Sequence, residues 1–96
     1  MAGEQVVLPD ALELFNAYPN PFNATTTFHY VLNRLALVNL SIFDIQGRKI
    51  TTLIDKVQAA GTHNYSFNAG HLASGIYLVK LQAGKQTKIK KVVLVK

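Results

Sequence analysis

The sequence predicts an all-β domain, an antiparallel sandwich of about seven strands. Three observations lead there. Apolar and polar residues alternate with period two in segment after segment, no stretch sustains a helical period, and Gly, Pro, Asn and Asp punctuate the chain at short intervals. At 96 residues the chain holds one hydrophobic core, because two would leave each half too small to fold without staples.

Residues 1–11 read as a linker from a preceding domain or a cloning-derived extension, and 12–96 as the folded unit. Met1-Ala-Gly-Glu4 lacks the basic start and apolar stretch of a secretory leader, and no apolar run approaches the ~20 residues that span a bilayer. Leu12 to Tyr18 offers a first strand. In Tyr18-Pro-Asn-Pro-Phe22, Pro19 and Pro21 lack amide donors and push Tyr18 and Asn20 toward extended backbone. The segment is therefore a stiff crossing between sheets, with Tyr18 and Phe22 expected to cap the core.

Thr25 to Leu32 places Phe28, Tyr30 and Leu32 on one face and His29 and Val31 on the other, and Val38, Leu40 and Ile42 repeat the pattern. Asp44-Ile-Gln-Gly47 fits a type I turn into a strand at Lys49 to Ile54, closing a hairpin. Lys56 to Gly61 reads as a loop. His63, Tyr65 and Phe67 then share one side of a strand, and Asn68 to Ser74 turns the corner. Gly75 opens the next strand, with Tyr77, Val79 and Leu81 inward. Glycine followed by a tyrosine at the strand's start is the arrangement of a tyrosine corner, with the ring buried and the hydroxyl bonded to upstream backbone. Ala83-Gly84 is the tight turn into the final strand, where Ile89 or Val92 and Leu94 are the inward candidates. A bulge there would exchange Val92 and Leu94 for Val93 and Val95.

The formal charge is +5, and there is no cysteine. That excludes a disulfide framework, a thiolate zinc site and a thiol nucleophile, without fixing a compartment. The charge is uneven: no lysine or arginine precedes Arg34, whereas Lys80, Lys85, Lys88, Lys90, Lys91 and Lys96 crowd the end. Such a gradient suits an anionic partner, but lysines on a terminal strand also prevent edge-to-edge aggregation, and the second reading is preferred. Arginine forks and interleaved aromatics, which nucleic-acid readers need, are missing from this stretch.

Catalytic patterns do not assemble. The acids after Glu13 are Asp44, in a turn, and Asp55, at a strand end, so no carboxylate pair or activated nucleophile is recognisable. His71 and Ser74 are close in sequence, at a corner that already has a structural explanation. His29, His63 and His71 match no metal-ligand spacing, and alternation turns His29 away from His63. No glycine-rich phosphate cradle or amphipathic membrane helix is present either. No catalytic residue, metal or cofactor is therefore expected.

The motif order carries more. Tyr18-Pro-Asn-Pro-Phe-Asn23 comes first, then Ile42-Phe-Asp-Ile-Gln-Gly-Arg-Lys-Ile50, Leu72-Ala-Ser-Gly-Ile-Tyr77, Leu81-Gln-Ala-Gly84 and Lys90-Lys-Val-Val-Leu-Val-Lys96. Over about residues 14–96 the chain resembles the type A C-terminal sorting domain of the type IX secretion system, a family related to the immunoglobulin-like domain of the flagellar hook-capping protein. The resemblance implies an immunoglobulin-like sandwich at the downstream end of a larger exported protein of Gram-negative bacteria. It also implies passage through the periplasm, recognition by the outer-membrane translocon and removal by a sortase-like protease, leaving the passenger secreted or on the cell surface. The implied recognition surface is Lys90, Lys91, Val92, Val93, Leu94, Val95 and Lys96. Pro19, Pro21, Gly47, Gly75, Tyr77 and Gly84 are the implied structural positions. Ala24 departs from a position where proline is common, and Asn33-Arg-Leu35 is a short connection.

A mechanism suits that reading: an open edge strand offers backbone groups for β-augmentation while lysines steer it to an acidic receptor. The expected partners are the type IX machinery with its protease and an N-terminal passenger, with no nucleic acid and no membrane span, and the domain is expected to be a monomer. A second class, an immunoglobulin-like accessory module contacting carbohydrate, needs exposed rings. Alternation buries Phe28, Tyr30, Tyr65, Phe67 and Tyr77, leaving Phe43 as the main exposed candidate. A small enzyme would need a cleft holding His63, His71 and an Asp.

Overall fold

Period-two alternation leaves each strand with one apolar face, and two sheets bury those faces against each other. The computed structural model describes residues 12–96; the reading of residues 1–11 lies outside it. The strands are β1 (Glu13–Leu14), β2 (Thr25–Leu32), β3 (Ala36–Asp44), β4 (Lys49–Gln58), β5 (Gly61–Asn68), β6 (Gly75–Ala83) and β7 (Gln86–Leu94), with no helix among the described residues. They form a three-stranded sheet, β1-β2-β5, and a four-stranded sheet, β4-β3-β6-β7. All strand pairs are antiparallel. The antibody constant arrangement groups the fourth strand with the first, second and fifth, whereas here β4 stays beside β3.

Phe28, Tyr30 and Leu32 of β2 and Phe67 of β5 meet Val38, Leu40 and Ile42 of β3, Val79 and Leu81 of β6, and Val92 and Leu94 of β7, all of them buried. Phe67 stacks on Phe28 with centroids 5.8 Å apart. The buried polar residues are satisfied: Thr26 Oγ1 donates to the Pro19 carbonyl at 2.7 Å, and Ser41 Oγ to Asn39 Oδ1 at 2.6 Å. Each bond offsets the desolvation of its hydroxyl.

Four local expectations need correction. The first strand is confined to Glu13–Leu14; beyond it the Phe15 amide donates to the His29 carbonyl at 3.0 Å and Tyr18 makes an isolated bridge to Thr27. Tyr18 does not cap the core: it is 77% exposed, while Phe22 is buried. β4 does not end at Ile54 but runs to Gln58, pairing Lys56, Val57 and Gln58 with Val38, Leu37 and Ala36. β4 is an edge strand, so its backbone ladder outlasts its last core side chain and leaves no apolar pattern to read. The final turn is Gly84-Lys85, because Ala83 pairs with Gln86. Gly84, at φ +59° and the first of the two loop positions, supplies the left-handed residue of a II′-type hairpin.

Candidate recognition surface

The β6–β7 hairpin is held from three sides. At its start Tyr77, half-buried, donates its hydroxyl to the Ala73 carbonyl at 2.6 Å, making the expected tyrosine corner. The same corner grips the closing residue: Lys96 N–H donates to Ser74 Oγ at 3.0 Å, and Lys96 Nζ to the Gly70 carbonyl at 2.6 Å. Between these anchors Val92 and Leu94 are fully buried. The third side is the Tyr18–Phe22 crossing, which runs as a strap along the outer margin of β7.

That strap shortens the open edge. Phe22 N–H donates to the Val93 carbonyl at 2.9 Å and Val95 N–H to the Phe22 carbonyl at 2.8 Å. Asn20 clamps from its side chain, its Nδ2 donating to the Lys91 carbonyl at 3.2 Å and its Oδ1 accepting from Val93 N–H at 3.0 Å. In the sequence Asn20 is marked only by its place between two prolines, whose peptide bonds are both cis. Backbone groups of alternate residues face the same side of a strand. Among the described residues, Thr87 and Ile89, with the Lys91 amide, are therefore the stretch of β7 whose outward backbone groups find no partner, although Leu12–Phe15 line a groove beside Lys88–Lys90. The edge is closed from the Lys91 carbonyl onward.

The seven closing residues thus divide. Val92 and Leu94 face the core, Val93 is half-buried with its backbone bonded to the strap, and Lys96 is tied to the corner. Lys91 and Val95 are exposed and Lys90 is half-buried. Gly47 (φ +85°) closes the β3–β4 turn, its amide donating to the Asp44 carbonyl at 3.0 Å. There the Arg48 amide, with the Arg48 guanidinium and the Gln46 amide adding to it, holds the Asp44 carboxyl below the usual carboxylate range. Tyr30 donates to Gln58 Oε1, and burial pushes its phenol up.

His29 and His63 make separate contacts. His29 Nδ1 lies 2.6 Å from Asn64 Oδ1. His63 stacks on Tyr30 with centroids 5.3 Å apart, and its Nε2 lies 2.8 Å from the Ala59 carbonyl. Among the described residues no three His, Asp or Glu side chains gather as metal ligands. Phe43 is half-buried, with the Lys80 ammonium 5.6 Å from its ring centroid. The most exposed rings are instead Tyr18 and, at 47%, Phe15.

Residues 16–96 match the family model described as the secretion system C-terminal sorting domain. The chain belongs to that family. No curated protein matches it. A sorting domain of this family is a sorting signal of type IX secretion, which implies a passenger and the secretion machinery as its counterparts and a secreted or cell-surface protein as its setting. In this sorting domain no helix of the described residues is long and apolar enough to cross a membrane.

Proposed function

We propose that this domain is a non-catalytic signal that carries a larger N-terminal passenger from the periplasm through the outer-membrane type IX translocon to the surface or medium, with a sortase-like protease acting at its junction. The family match over residues 16–96 carries the reading. The domain spans 12–96 and works as a monomer, with residues 1–11 as linker. Within the closing segment the roles separate: Val92, Leu94 and Lys96 hold the ribbon, and Lys90, Lys91, Val93 and Val95 present it. Lysine charge steers the encounter with an acidic receptor.

The test appends the whole chain to a periplasmic reporter in a host with and without the translocon. Delivery to the surface only in the competent host is expected; delivery in both hosts, or in neither, rejects the reading. An immunoglobulin-like accessory module contacting carbohydrate would draw on the exposed rings of Phe15 and Tyr18 and would show no dependence on the translocon.

A further inference from the structure

The outward face of the four-stranded sheet carries an apolar stripe that ends at the uncovered part of β7. Register places Phe43 of β3 opposite Leu78 of β6, and Lys80 of β6 opposite Ile89 of β7. These four residues and Gly47 line a shallow depression of about 210 Å³. Ile89, at its rim, is 55% exposed. Its N–H and C=O point away from β6 and meet no backbone partner among the described residues. An apolar side chain and a free backbone pair thus coincide at one position.

Charge narrows the occupant. β6 and β7 carry Lys80, Lys88, Lys90 and Lys91 and no acid. A second copy of the chain would bring the same lysines edge to edge, so self-pairing along this margin is repelled. An acidic strand would be drawn in.

We propose that Thr87–Lys91 and the Phe43–Leu78–Ile89 stripe form one docking site for an extended acidic segment of a partner protein, which adds to β7 as a further strand. The segment bonds the free groups of Thr87 and Ile89 and packs an outward apolar side chain against Ile89, covering the depression. Its carboxylates lie against Lys80, Lys90 or Lys91. The proposal rests on the sorting reading and names the partner chemistry of that same surface.

The test uses the reporter fused to the whole chain in a translocon-competent host, with two substitutions at Ile89. Ile89→Asp puts a carboxylate into the stripe. Ile89→Pro removes a donor that faces outward, leaving the ladder with β6 intact. Each should lower surface delivery by about tenfold or more, with the thermal melt of the isolated chain unchanged. Val57→Asp, on the far edge strand at a residue 59% exposed, should deliver like the parent. Parental delivery by both Ile89 variants overturns the docking site while leaving the sorting reading in place. Loss with Ile89→Asp alone overturns strand addition in favour of an anionic amphiphile that reads only side chains. No translocon-dependent delivery of the parent removes the sorting reading, and the docking site with it.

Discussion

Ala24 sits at φ +73°, in a three-residue turn closed by the Thr25 amide on the Asn23 carbonyl at 2.9 Å. Its own carbonyl accepts the Ala69 amide at 2.6 Å, which fixes the start of β2 against the corner after β5. A proline, common at this position in the resemblance drawn above, is locked at negative φ and cannot make that turn. Ala24→Pro should therefore cost more than about 1 kcal/mol, whereas Ala24→Gly should raise stability by up to about 1 kcal/mol, in urea unfolding. Tyr77→Phe removes the hydroxyl on Ala73 and should cost about 1 kcal/mol by the same measurement. Asp44 gives a pH dependence. Its folded pKa is lowered, chiefly by the Arg48 amide, so its contribution is present above the unfolded value and is lost as pH falls through the lowered one. The melting temperature should drop on acidification below about pH 4, and Asp44→Asn should flatten that part of the profile.

The β6–β7 hairpin separates residues that hold an element from residues that present it. Leu94→Ala opens a cavity under a fully buried side chain and should cost about 2–5 kcal/mol, with export falling only as far as folding does. Lys91→Glu, at an exposed position, should change stability by no more than about 0.5 kcal/mol and still reduce delivery of the fused reporter. Equal delivery of parent and Lys91→Glu would remove the steering role. Strands of this kind were legible in the sequence where alternation is imposed by a buried face: Phe28-Tyr30-Leu32, Val38-Leu40-Ile42 and Tyr77-Val79-Leu81 all point as the pattern says. Legibility failed where backbone pairing continues without burial, as in Lys56–Gln58 of β4, and where a strand is cut to two residues, as in β1. In the last strand the pattern left the inward set open; the register with β6 settles it on Val92 and Leu94.

At the scale of the molecule, the two sheets leave two flanks: the β4–β5 connection, with Tyr30 bonded to Gln58, joins them on one, and a strap laces the other. On the β1 and β7 flank the chain runs from a pairing with β2 at Glu13–Leu14 to a parallel bridge between Phe22 and Leu94. One segment thereby joins both sheets. Residues 73 and 71 positions apart in sequence meet at Val93 and Lys91 through a single asparagine. No local pattern in the sequence announces such a contact, which is why Pro19 and Pro21 read as stiffness and Asn20 only as extended backbone. The extent of the candidate site depends on this clamp, because it decides how much of β7 remains open to a partner. Asn20→Ala should remove both side-chain bonds at a cost of about 1–2 kcal/mol. Hydrogen exchange at the Val93 amide should accelerate while the amides of β3, interior to its sheet, keep their protection. The longer free margin should also raise self-association in sedimentation at high salt, where lysine repulsion is screened. Unchanged exchange at Val93 would mean that the Phe22 backbone alone holds the strap, and the open stretch would then be fixed by the β1–β7 path and not by Asn20.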